Sequence, residues 1–106
     1  MKGLNMTTNN MRAIHAGEIL REEFLAPLGI TPHALAMSLR VPAPRINDVV
    51  REKRAITVDT AMRLARYFDT TAQFWMNLQS TYDLKIAEKT LSQKIELEVN
   101  RLQRAA

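Results

Sequence analysis

From His15 onward the chain mixes apolar and polar positions with helical spacing. Ile19, Leu20 and Phe24, with Leu28 just beyond, recur at helical intervals, and Arg21, Glu22 and Glu23 fall between them. Pro27 and Gly29 are expected to end this first helix. Thr31 is a good N-cap and Pro32 suits the first helical position, where a missing N–H costs nothing. They predict a second helix of about two turns with Leu35, Ala36 and Leu39 on its inner face, stopping before Pro42. A third helix has Ile46, Val49 and Val50 pointing inward and Arg45, Asn47, Asp48 and Arg51 outward. Thr57 caps a fourth, whose apolar positions are Ala61, Met62, Leu64, Ala65 and Phe68, and Asp59 in its first turn suits the positive end of the helix dipole. Asp69-Thr70 breaks it, and Thr71 opens a fifth helix carrying Phe74, Trp75 and Leu78 and running toward Tyr82 and Leu84. A last amphipathic segment presents Leu91, Ile95, Val99 and Leu102. No strand-like alternation and no internal repeat interrupts this pattern, so the chain reads as all-α, five helices with an additional C-terminal helix. Residues 1–12 are polar and aperiodic and are expected to form a flexible N-terminal arm. Residues 13–88 form the domain and 89–106 the C-terminal helix.

Composition narrows the chemistry. With 106 residues, 46% hydrophobic and 25% charged, the chain suits one folded domain rather than two or a disordered segment. There is no cysteine, which removes disulfides, thiolate nucleophiles and sulfur-ligated zinc. His15 and His33 lie too far apart in sequence to suggest a metal or general-base motif, and their expected place is a helix start or the surface. Gly3, Gly17 and Gly29 cannot build a phosphate-cradling loop. An enzyme, a metal centre and a cofactor are therefore not expected. No run approaches the roughly 18 apolar residues of a membrane span, and no apolar stretch follows Lys2 as in a secretory signal, so a cytoplasmic location is expected.

The net charge of +4 favours a polyanion as partner, and its distribution says more than its size. Glu18, Glu22 and Glu23 make the first helix acidic. In the middle of the chain Arg40, Arg45, Arg51, Lys53 and Arg54 outnumber Asp48 and Glu52. That basic surface lies on a short helix pair, Thr31 to Arg51, the pattern of a helix-turn-helix. Ala36 sits where the two helices would cross, and Val41 fills the turn. Such a pair gives DNA a rod narrow enough for a major groove about 12 Å wide. Ala43, Pro44, Arg45, Asn47 and Asp48 are the residues expected to face bases, with Asn47 also suited to phosphate. Arg40, Arg51, Lys53 and Arg54 are expected to contact phosphates. The same pattern also fits an ordinary solvated basic face. Phe74 and Trp75 are expected in the core or an interface. The acidic first helix suits either solvent or a basic protein partner.

Residues 31–51 resemble the helix-turn-helix of the phage-repressor-like (XRE) class. Three further runs are more specific: residues 15–24 (HAGEILREEF), residues 61–68 (AMRLARYF), and Phe74-Trp75-Met76-Asn77-Leu78-Gln79 followed by Tyr82-Asp83-Leu84. Together, over roughly residues 13–88, they resemble the HigA antitoxins, also known as virulence-associated protein I. The resemblance implies a dimeric cytoplasmic repressor of its own operon that binds an inverted repeat of double-stranded operator DNA. It also implies a partner, a HigB-like toxin of RelE-like fold that cleaves mRNA. The chain departs from the class at Arg40, where the turn usually has glycine, at Pro32, at Pro42-Ala43-Pro44, and at Glu52. Ala43 and Pro44 offer only apolar contact, such as with a thymine methyl. A stand-alone regulator of the same fold, or a protein-interaction module that has lost DNA binding, are the alternatives. The stripe Leu91, Ile95, Val99 and Leu102 either packs on its own domain or forms the dimer interface, and the latter is the reading preferred.

Overall fold

A computed structural model describes residues 12–103; the N-terminal arm expected at residues 1–12 lies, apart from Arg12, outside the described residues. Among the described residues five helices follow one another, and there is no strand. Helix α1 starts with α-geometry over Ala16–Ile19, widens to π-type hydrogen bonding over Leu20–Leu25, and closes with Ala26–Leu28. The wide turn lies just before Pro27, which has no N–H to give and whose ring crowds the carbonyl four residues back. Gly29, at φ 67°, then ends the helix in the left-handed conformation that glycine adopts without penalty.

Helices α2 (Pro32–Leu39), α3 (Ala43–Val50), α4 (Val58–Phe68) and α5 (Ala72–Glu98) complete the fold. Each threonine cap expected from the sequence is made. The Oγ1 atoms of Thr31, Thr57 and Thr71 accept from the N–H groups of Ala34 at 3.1 Å, Thr60 at 3.3 Å and Phe74 at 3.0 Å. Helix α3 has no such cap. Pro42 precedes it and Pro44 sits in its first turn, which removes one amide in need of a partner.

Leu20, Leu35, Ile46, Val49, Leu64 and Trp75 are fully buried, so every helix contributes to one core. Phe24 gathers the aromatic side, with ring centroids 4.9 Å from Phe68 and 5.0 Å from Trp75. The Trp75 indole is satisfied by donating to Thr70 Oγ1 at 2.8 Å. Phe74 is only partly covered. Leu28 and Met62, read from periodicity as inner positions, are mostly exposed. Leu28 lies in the final turn of its helix, and Met62 is flanked by the buried Ala61 and Leu64 on a helix wide enough to leave it outside.

The fifth helix and the expected C-terminal helix are one rod of 27 residues, about 40 Å long. Its first half packs on the domain and its second half projects from it. The radius of gyration is 17.6 Å, against about 13 Å for a compact chain of this size. The rod ends at Glu98, so Val99 and Leu102 follow the helix rather than continuing its stripe. No helix among the described residues is long and apolar enough to cross a membrane.

His15 serves as the N-cap of α1. Its Nδ1 accepts the Gly17 N–H at 2.8 Å, and its ring lies edge-on to Tyr82 with centroids 4.8 Å apart. Burial pushes its pKa below 6.5, partly countered by Glu52 and Asp83. The folded state thus keeps the imidazole neutral while the unfolded chain protonates near 6.5, so the stabilisation is complete above that value and declines as pH falls below it. The melting temperature is expected to fall as the pH is lowered below about 6.5, and His15→Asn, which keeps a capping acceptor, to flatten that part of the profile. Melts followed by circular dichroism measure both.

Candidate nucleic-acid interface

Helices α2 and α3 are joined by a tight turn whose hydrogen bonds match a left-handed helix stop. The Arg40 N–H donates to Met37 O at 3.2 Å and the Val41 N–H to Ala36 O at 3.1 Å. Arg40 itself takes φ 62°. A side chain in that region costs on the order of 1 kcal/mol relative to glycine, so Arg40, standing where the class usually has glycine, is strained. Arg40→Gly is expected to stabilise the fold by roughly 1 kcal/mol, a rise in melting temperature of several degrees in thermal unfolding. Glu52, also at positive φ (64°), closes the exit of α3, with its N–H donating to Val49 O at 2.9 Å.

Helix α3 is anchored from below by Ile46, Val49 and Val50, all buried, while Pro44 at its start and Arg51 at its end are exposed. Ala43, Arg45, Asn47 and Asp48 are half-buried on its flanks. Arg40, Lys53 and Arg54 stand exposed at the two ends of the helix. The residues expected to face bases thus lie on α3 outside its buried face, and those expected to hold phosphates are exposed at its ends. Two of them pair with each other: Arg54 reaches Asp48 Oδ2 at 3.1 Å, which lowers the charge that both offer a ligand. Arg40, Arg51 and Lys53 make no ion pair among the described residues.

Arg45 pairs with Asp59 of α4, a contact between helices that helical periodicity does not reveal. The same Asp59 oxygen accepts from Arg63 Nε at 2.9 Å, and Arg63 also donates to the Leu39 carbonyl at 2.8 Å. The hydrogen bonds from Arg63 and then Arg45 hold the Asp59 carboxyl below its usual pKa of 3.8. Arg63 was missed by sequence reasoning, and Asp59 was recognised only as a partner of the helix dipole. Their shared i,i+4 spacing was the available signal for that pair.

Two further supports hold α3 from behind. Arg21 donates to the Val50 carbonyl and pairs with Glu52 at 3.2 Å. Gln79, buried on α5, accepts the Ile56 N–H at 2.7 Å and donates to Asp83 at 2.9 Å, tying the loop after α3 to the long helix. Leu91 and Ile95 are exposed on the projecting half of α5, and Val99 and Leu102 are exposed beyond its end. None of the four packs onto its own domain.

The helix-turn-helix family matches residues 20–75 of the chain. Virulence-associated protein I of Dichelobacter nodosus is 60% identical over 81 residues, 76% of this chain and 75% of the relative. Antitoxin HigA-1 of Vibrio cholerae is 34% identical over 79 residues, 74% of each chain. Among solved structures, the Pseudomonas aeruginosa antitoxin HigA, determined with the higBA promoter, is 56% identical and superposes with a TM-score of 0.83 over 87% of this chain and 100% of its own. A tight turn held in the left-handed conformation at Arg40, an exposed basic second helix and these similarities over most of the chain lead to one conclusion: the chain belongs to the helix-turn-helix family, in the branch of the HigA antitoxins and virulence-associated protein I.

Proposed function

We propose that the protein is a DNA-binding antitoxin that represses its own operon as a dimer and neutralises an mRNA-cleaving toxin of RelE-like fold; it is a regulator and not an enzyme. The observation that carries this reading is the outer side of α3, where Pro44 and Arg51 are exposed and no other element among the described residues lies across them. The P. aeruginosa HigA that was solved with promoter DNA has the same fold at 56% identity, which supports the same use of this surface.

In this mechanism the buried Ile46, Val49 and Val50 hold the rod while its other side enters the major groove. Ala43, Pro44, Arg45, Asn47 and Asp48 approach base edges, and Arg40, Arg51, Lys53 and Arg54 neutralise the flanking phosphates. A second copy places an identical rod about 34 Å away, one DNA turn along an inverted repeat. Leu91, Ile95, Val99 and Leu102, exposed in the single chain, form the seam that sets this spacing. The work is done in the cytoplasm, where the operator is.

A mobility-shift titration against a duplex cut from immediately upstream of the protein's own reading frame tests the reading. If the four phosphate-facing cations of both subunits engage, binding weakens with salt at a logarithmic slope of about −7. No shift, or a shift insensitive to salt, removes the repressor. Failure to co-purify with the product of the adjacent reading frame removes the antitoxin and leaves a regulator.

A further inference from the structure

Resting on the DNA-binding reading above, we propose that Asp59 is a positioning residue that determines specificity: its carboxylate holds the Arg45 guanidinium in place on α3, so that Arg45 addresses a base edge instead of the nearest phosphate.

Arg45 lies in the first turn of α3, the end of the rod that meets the groove. An arginine there is a long, mobile cation, and on a duplex the densest targets within its reach are phosphates, which carry no sequence information. Here it is not left mobile. Its side chain is only 31% exposed and is engaged by Asp59, in the first turn of α4. Asp59 is in turn held by Arg63, one helical turn further along α4, at 2.9 Å. Arg63 is fixed by its second bond, at 2.8 Å, to the carbonyl of Leu39, the last residue of α2. The guanidinium of the recognition helix is therefore located by a relay that ends on the backbone of the other helix of the pair.

The relay spans the place where Arg40 stands in a left-handed conformation that glycine would occupy without cost. It ties the two helices together through side chains at the turn where the backbone is strained. The carboxylate has a second effect. Facing the same surface, a fixed negative charge repels phosphate and offsets part of the charge of Arg45, which weakens binding to any duplex while leaving the directional N–H donors of Arg45 able to pair with a base. Both effects raise the ratio of specific to non-specific binding. Arg45 and Arg63 share one oxygen of Asp59, and its loss releases Arg45 while Arg63 keeps its bond to the Leu39 carbonyl.

Asp59→Asn keeps the shape and one acceptor and removes the charge. The full chain and this variant are titrated by fluorescence anisotropy against the duplex from upstream of the protein's own reading frame and against a scrambled duplex of the same base composition, across a salt series. The variant is expected to bind its own promoter less tightly and the scrambled duplex more tightly. The ratio of the two affinities should fall by about tenfold or more, within the range lost when one good bidentate base contact goes. The salt slope on the scrambled duplex should steepen by about 2, one released arginine per subunit of a dimer. Asp59→Glu, which keeps the charge, should recover most of the ratio.

A ratio unchanged to within about twofold in Asp59→Asn, while the unaltered protein prefers its promoter, overturns the proposal. So does an equal fall on both duplexes, which is what a purely structural Asp59 would produce. If the unaltered protein shows no preference for its promoter, the DNA-binding reading fails first and the proposal with it.

Discussion

Arg45→Ala combined with Arg51→Ala is expected to abolish the promoter shift while leaving the fold intact. Arg51 is exposed at the end of α3 and packs on nothing in the core, and the ion pair of Arg45 with Asp59 lies at a solvent-screened surface, where such pairs contribute little to stability. On the proposed assignment, their loss is expected to be felt in DNA binding instead. A base-contacting arginine is worth about 1–3 kcal/mol of discrimination, and a dimer loses two of them together with two phosphate contacts. The affinity should fall by on the order of a thousandfold. Unchanged circular dichroism with a lost shift places the binding surface on α3. An undiminished shift means that some other surface meets DNA, and the assignment of these residues is then wrong.

Gly17→Ala is expected to have the opposite profile, damaging the fold and, through it, every function. A Cβ built on Gly17 would lie 1.8 Å from the Val49 carbonyl oxygen and 2.8 Å from its carbon. The obstacle is backbone of α3, held by Val49 and Val50 in the core, and it cannot swing away as the tip of a side chain would. Helices α1 and α3 must separate by more than 1 Å, roughly, or the cap at His15 must break. Overpacking of a rigid core costs about 1–3 kcal/mol and more where backbone is the obstacle, a large share of the stability of a small domain. Urea unfolding should show a midpoint lowered accordingly. An unaltered midpoint would mean that α1 and α3 are not in close contact in solution.

The contrast between these two positions shows where the sequence was legible. Helix starts were readable because their causes are local: Thr31, Thr57 and Thr71 each reach an amide three residues on. The inner faces of α2 and α3 were readable because Leu35, Ala36, Leu39, Ile46, Val49 and Val50 recur with the helical period, and all are buried. Periodicity fails at Leu28 and Met62, where apolar character does not mean burial, since a small domain leaves much apolar surface uncovered. It also split α5 in two, since nothing between Leu84 and Leu91 is a helix stop; a continuous run of helix formers gives one rod.

Within the candidate interface, the residue types and their places on α3 were legible from charge and spacing. Their partners were not. The pairing of Arg45 with Asp59 joins positions on different helices, as do the bonds from Arg63 to Leu39 and Arg21 to Val50, while the bond from Ile56 to Gln79 joins a loop to a helix. The need for glycine at Gly17 leaves no mark in the local pattern, because what forbids a side chain there lies on another helix.

By itself the sequence determined an all-helical chain, its caps, its buried faces and a basic second helix next to a turn, since each follows from interactions spanning at most a few residues. Only the tertiary structure decided how closely α1 meets α3, which cations are free and which are held, and that the last helix projects from the domain. Those features depend on the distance between segments remote in sequence, which packing of the whole core sets and no local pattern encodes.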